Sequence, residues 1–182
     1  IIEHPDLHYM LPFYIQKKCI KCLKVGAKRR QKAIKEKNWD SYKNEIRERV
    51  KKYLGDMPFG KSGESLKVKL ISRYEKQHHI VENVLFDSLP GWQVNASVYL
   101  PKDFPPPWPA IVIPVGHSGK QFESYQIPAQ VFAQCGYVAI TFDPPGQAGE
   151  KQLGNDHFIN GIQCYLTGYS SQRYFVIDAL RC

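Results

Sequence analysis

The chain has 182 residues, 43% of them hydrophobic and 13% aromatic, enough to bury a core as one domain plus an appendage rather than remain a disordered tail. Its formal charge of +8 is segmental: residues 17–52 hold 15 Lys and Arg against 4 Asp and Glu, and the rest is net acidic. No apolar run reaches the length of about eighteen residues at which a membrane span is read, so none is expected. The chain begins at Ile1 with neither a methionine nor a charged-then-apolar leader, so compartment is not legible and both ends read as cut.

In chain order, the basic segment reads as two helices. The second is capped near Asn38, carries Tyr42, Ile46, Val50, Tyr53 and Leu54 along one stripe, and closes at Gly55, which predicts a core-facing side opposite a solvated basic face. A second reading of that face is electrostatic contact with an anionic polymer or surface. No helix-turn-helix, finger or RNA-recognition signature accompanies it, and no nucleic-acid partner is expected. Five cysteines, Cys19, Cys22, Cys135, Cys164 and Cys182, are an odd and scattered set that argues no disulfide framework. Helical spacing puts Cys19 and Cys22 on one face, which reads as core packing. No second pair stands near them, His4, His8, His78 and His79 do not read as ligands, and no metal site is expected.

Three strands follow, at 67–71, 79–86 and 92–100. The last alternates Trp92, Val94, Ala96, Val98 and Leu100 against Gln93, Asn95, Ser97 and Tyr99, the pattern of a half-buried strand. Leu89-Pro-Gly91 supplies a reversal, so the second and third strands pair antiparallel. Beyond the Pro-rich 101–109, the runs 110–115 and 137–142 are short, apolar and β-branched, as in strands of a parallel sheet buried on both faces. The first opens into Gly116-His-Ser-Gly119 and the second into Asp143-Pro-Pro-Gly-Gln-Ala-Gly149. Between them 123–135 has helical spacing, with Ile127, Val131, Phe132 and Cys135 on the inward side and Gly136 ending it in the left-handed conformation. This is a βαβ unit, whose crossover rule brings both glycine loops to one edge of the sheet. The expected fold is α/β with a mixed sheet, an antiparallel hairpin followed by a parallel βαβ unit, after an α-helical extension. The expected domains are a basic amino-terminal extension at 1–60 and a truncated core at 61–182.

Loop residues facing the strand carboxyl ends are the candidates for chemistry. Gln147 and His157 are candidate substrate-binding residues, each weighed against a loop residue that bonds backbone. Asp143 before Pro-Pro-Gly reads as turn chemistry, and Asp178, between Arg173 and Arg181 on a helix, as an ion-pairing residue. Ser118 follows a strand and precedes a helix with Gly116 two residues before it, but position 120 is Lys, so the G-x-S-x-G elbow is half met. A self-contained triad would join Ser118 with His157 and Asp143 or Asp178.

Taken together, Met10-Leu-Pro12 before a basic helix, Val84-Leu-Phe-Asp-Ser-Leu-Pro-Gly91, Val98-Tyr-Leu-Pro101, Pro114-Val-Gly-His-Ser-Gly-Lys120, Asp143-Pro-Pro-Gly-Gln147, Asp156-His157 and Gln163-Cys-Tyr-Leu-Thr-Gly168 resemble the acetyl xylan esterase-like branch of the α/β-hydrolases over nearly the whole chain. The resemblance implies a serine hydrolase acting on a small-molecule or carbohydrate ester without a cofactor. It is compatible with a secreted or periplasmic setting, leaves the compartment itself unknown, and leaves oligomeric state open. It also places the elbow, acid and catalytic His after Cys182, so that these residues alone are expected to be inactive. Residues 116–120 then correspond to the oxyanion loop, with the backbone N–H of His117, or else of Ser118, as donor. A peptidase of the prolyl-oligopeptidase type shares the sheet and elbow, but the first hundred residues show no blade repeat.

Overall fold

The computed structural model describes residues 7–57, 66–147 and 156–182. The expected boundary at 60/61, His4, and the end of the second glycine loop at 148–149 lie outside them. Its contacts divide the chain into two compact units, Ile1–Lys52 and Tyr53–Cys182.

In the first unit a short 3-10 turn, Leu7–Tyr9, leads into helix α1 at Met10–Lys35, and α2 follows at Trp39–Leu54. Pro12 sits in the first turn of α1, where its missing N–H costs no helical bond. Lys37 adopts a positive φ of 53° in the link between the helices. Arg29 pairs with Glu45 from one helix to the other, and Trp39 stacks on Tyr42 at 5.3 Å. The stripe expected to face a core is only partly covered: Tyr42, Ile46 and Leu54 are half-buried, whereas Val50 is 51% exposed, Tyr53 81%, and α2 buries no residue. Nor are Cys19 and Cys22 packed inside; both thiols are exposed, and α1 buries Ala33 alone. Periodicity makes a helix amphipathic, but it does not supply the surface that would cover the apolar side.

The second unit holds a five-stranded mixed sheet in the order β1-β2-β3-β5-β4. The strands are β1 Lys69–Glu75, β2 His79–Leu89, β3 Trp92–Pro101, β4 Ala110–Pro114 and β5 Val138–Phe142; helices α3 Glu123–Gln134, α4 His157–Leu166 and α5 Ser171–Arg181 complete it. β1, β2 and β3 pair antiparallel, β3 meets β5 antiparallel, and β4 runs parallel to β5. The first strand lies a few residues later than its expected 67–71, and the hairpin turns at Gly91 with φ +75°.

Two cores lie on opposite faces. Val84, Phe86, Val94, Ala96 and Phe142 form one, with Ala179 and Cys182 against it; Tyr99, Ala129, Ala133 and Ala139 form the other, with Phe132. β3 is therefore covered on both sides at Ser97 and Tyr99, where alternation predicts one open face. The helix between β4 and β5 keeps Phe132 inward as expected but is rotated away from the rest of the expected side. Ile127 and Val131 are 56% and 52% exposed and Cys135 is exposed, whereas Ala129 and Ala133 are fully buried. Small side chains let α3 approach the sheet closely, a requirement that outranks hydrophobicity at this contact. Gly136 ends α3 at φ +85°, as its position predicts.

Asp178 is a further correction. It is 1% exposed and pairs with neither Arg173 nor Arg181; Ser88 Oγ donates to it at 2.5 Å and Trp92 adds a second hydrogen bond. Arg173 instead lies over the Tyr169 ring at 4.5 Å and donates to the carbonyls of Leu54 and Asp56. Gly55 between those carbonyls has φ +72°, and a Cβ there would sit 2.7 Å from the Arg173 guanidinium. The absence of a side chain is what admits the Arg.

Candidate functional site

The segments after β4 and β5 meet at one edge of the sheet. Gly119 N–H donates to Gly116 C=O at 3.2 Å, closing a β-turn with His117 and Ser118 in its two central positions. Gly119 takes φ +78°, the left-handed region. Tyr125, from α3, accepts the Gly116 N–H at 2.7 Å, and Asp143, just past β5, accepts the Lys120 N–H at 2.8 Å. Three of the five amides in 116–120 are thus tied down. Among the described residues the N–H groups of His117 and Ser118 have no acceptor, and both lie in the central positions of the turn.

The Lys120 ammonium adds an ion pair to the same Asp143 carboxylate, and the two side chains are only 13% and 11% exposed. Asp143 is not the turn residue that Asp-Pro-Pro-Gly suggests. Its carboxylate takes both donors of Lys120 and so clamps the turn after β4 to the strand end beside it. A pair so withdrawn from water holds its geometry firmly, because losing either partner leaves an uncompensated charge.

The structure also brings His117 and His157 together. Their Nε2 atoms are 3.2 Å apart and their rings meet edge to face at 4.6 Å. His157 is the first residue of α4, which Asp156 caps by accepting the Phe158 N–H at 2.8 Å. Its backbone lies so close to Gly146 that a Cβ on that glycine would come within 2.2 Å of the His157 nitrogen. No spacing rule could have found the pair, since forty residues and a sheet edge separate them.

Gln147 ends the described part of the second loop with 9% of its surface exposed; its Oε1 is buried without a partner among the described residues. Ser118 makes no hydrogen bond to either imidazole among those residues, Asp143 is engaged by Lys120, and Asp178 by Ser88 and Trp92. A second feature beside the loops is a hollow of about 300 Å³ lined by Trp92, Asn95, Asp143, Pro144 and Asp178. The arrangement leaves two main-chain N–H groups of the turn without an acceptor among the described residues, and a largely buried ion pair holds that turn in place.

Comparison with known proteins bears on the fold. No protein-family profile and no curated protein matches the chain. Among solved structures, a candidate acetyl xylan esterase from Bacteroides fragilis superposes with a TM-score of 0.62 at 21% identity, covering 80% of this chain and 42% of that one. An acetyl xylan esterase from a Thermoanaerobacterium species overlaps with a TM-score of 0.48 at 16% identity, over 72% of this chain and 47% of that one. One from a Paenibacillus species gives 0.38 at 23%, over 47% and 28%. Only the first overlap is close enough to establish a shared architecture. The chain has a partial α/β-hydrolase fold and spans less than half the length of these proteins.

Proposed function

We propose that this chain supplies the oxyanion-side half of a serine ester-hydrolase pocket, with a carbohydrate acetyl ester as the substrate class and no cofactor. The observation that carries this reading is the 116–119 turn, which leaves the His117 and Ser118 amides without an acceptor among the described residues at the carboxyl end of β4, while Lys120 and Asp143 lock it to β5. Support for an ester comes from the fold shared with a candidate acetyl xylan esterase. In this reading residues 1–60 are a helical extension and 61–182 the hydrolase core. The nucleophile, acid and catalytic His lie on residues that follow Cys182, beginning with a strand-to-helix elbow.

The mechanism assigns this chain one task. As a serine oxygen from the elbow adds to the ester carbonyl, charge develops on the carbonyl oxygen, and the His117 N–H and the N–H after the serine receive it. Because these donors are oriented before substrate arrives, they need no reorganisation when the charge appears. Gln147 and His157 line the approach.

The test has two arms. Residues 1–182 alone are expected to give no hydrolysis of p-nitrophenyl acetate above a heat-denatured control and no fluorophosphonate labelling. The continuing coding sequence is expected to bring a G-x-S-x-G elbow within about sixty residues and with it hydrolysis. Labelling of Ser118 in the 182-residue chain overturns the assignment, as does a continuation that lacks an elbow.

A second reading concerns α1. It carries nine Lys and Arg and no Asp or Glu, and Arg29 with Glu45 and Lys32 with Glu36 are its ion pairs among the described residues. Such a surface suits a polyanion, such as an acidic glycan. Salt-dependent retention on heparin that disappears in a Lys28→Ala, Arg29→Ala, Arg30→Ala variant supports it, and unchanged retention removes it.

A further inference from the structure

We propose that His117 and His157 form a two-imidazole clamp for a borderline-soft divalent transition cation, with Zn²⁺ as the representative, bridging the turn after β4 to the start of α4. The inference rests on geometry and does not depend on the hydrolase reading.

Two Nε2 atoms at 3.2 Å have only two stable relationships. Either one nitrogen carries a proton and the other accepts it, or both lone pairs are bare and share a cation. A tetrahedral ion bound at about 2.0–2.1 Å to each of two imidazoles sets their nitrogens about 3.3 Å apart, close to the observed spacing, and a change of ring tilt from the present edge-to-face contact aims both lone pairs at the ion. Imidazole nitrogen is a favoured donor for Zn²⁺, Cu²⁺ and Ni²⁺ and a poor one for Mg²⁺ or Ca²⁺, which fixes the class of ion.

The surroundings permit such an ion. His117 is exposed and His157 half-buried, so the site opens to solvent. Of the nearby charges, the Lys120 ammonium is neutralised by Asp143. The amino end of α4 disfavours a cation through its dipole, and the Asp156 carboxylate at the cap opposes that effect. Both histidines have fixed backbones, one within a hydrogen-bonded turn and the other wedged against Gly146. Pre-positioned ligands avoid the ordering cost that a mobile pair would pay.

Among the described residues no cluster of three or more His, Cys, Asp or Glu exists, so the remaining coordination positions go to water or to an exogenous anion. The clamp is therefore an exchangeable site and not a closed structural one. Its consequence is mechanical: an ion held by both rings cross-links residues 117 and 157 and stiffens the turn between Gly116 and Gly119.

The test uses the 182-residue chain with Cys19→Ser and Cys22→Ser, because two exposed thiols on α1 compete for Zn²⁺. Imidazole nitrogens are followed by ¹H–¹⁵N NMR as ZnCl₂ is added. The His117 and His157 ring signals are expected to shift together and saturate at one equivalent, with a rise in Tm. His117→Ala is expected to abolish the response of His157, and His157→Ala that of His117. Because a change at the start of α4 can disturb the helix, His157→Gln serves as a second variant, with its amide spectrum confirming the fold. A His157 response that survives in His117→Ala overturns the clamp. So does uptake of zinc by other groups, His78 with Asp103 for example, with both rings unmoved.

Discussion

The helical unit up to Lys52 and the sheet unit from Tyr53 stand on different physics. The first is long-range order with almost no interior: two helices of 26 and 16 residues bury Ala33 between them and leave Met10, Leu11, Phe13, Leu23 and Val50 at least half exposed. The second buries Phe142, Ala96, Ala139 and Ile177 to 1% exposure or less. Substitution should thus be nearly silent in one and costly in the other, although both carry apolar stripes of similar strength in the sequence.

Phe142→Ala offers the largest contrast. A fully buried aromatic ring lost from the sheet core is expected to cost about 3–5 kcal/mol in denaturant unfolding, whereas Leu23→Ala, at a position 72% exposed, should stay within about 0.5 kcal/mol. A Leu23→Ala cost comparable to that of Phe142→Ala would show that the helical unit has a core of its own.

Next comes the Lys120–Asp143 pair, which tests whether the candidate site shares the rigidity of the sheet. Asp143→Ala leaves the Lys120 ammonium nearly buried and unpaired, and about 3 kcal/mol of stability is expected to go with it. Asp143→Ala combined with Lys120→Met should recover a large part, since the stranded charge is then gone. Amide exchange at His117 and Ser118 measured in both variants separates the loss of the clamp from general loosening.

Much of the sheet unit was legible beforehand, and the failures share a cause. Alternation and β-branched runs located all five strands, and Gly91 and Gly136 marked their turns because a positive φ is nearly a glycine property. On α3 hydrophobic weight points Ile127 and Val131 inward, while close approach to the sheet selects Ala129 and Ala133. For Asp178 helical spacing to Arg residues is a local signal, whereas its partners Ser88 and Trp92 come from a hairpin some ninety residues earlier. At the candidate site the Gly116–Gly119 turn could be read from its glycines, but the Lys120–Asp143 clamp and the His117–His157 contact are products of tertiary folding. No pattern in the chain encodes them.

Asp178 supplies a smaller effect with a definite sign. Burial raises its carboxyl above the ordinary range, against the opposing hydrogen bonds from Ser88 and Trp92. The native state therefore holds that proton more firmly than the unfolded chain does. Its contribution to stability is complete below the unfolded value and lost as pH rises through the folded one. Asp178→Asn keeps one acceptor oxygen and removes the titration. The stability of the parent relative to this variant should fall as pH rises from about 4 to about 8, and a gap that widens instead would place the charged form as the favoured one.

The smallest effect belongs to the helical unit, where Arg29 and Glu45 form the ion pair between α1 and α2. Hydrogen bonding to each other lowers the Glu45 carboxyl and raises the Arg29 guanidinium, yet both groups stand in solvent. Water and salt screen such a pair, and holding two long side chains in one geometry offsets most of what it gains. Glu45→Gln is therefore expected to shift Tm only slightly at low salt and not at all at about 1 M salt, where the screening length is about 3 Å. A Tm loss that persists at high salt would mean that the pair positions the two helices sterically, and the contrast between a unit held by local order and a unit held by burial would have to be redrawn.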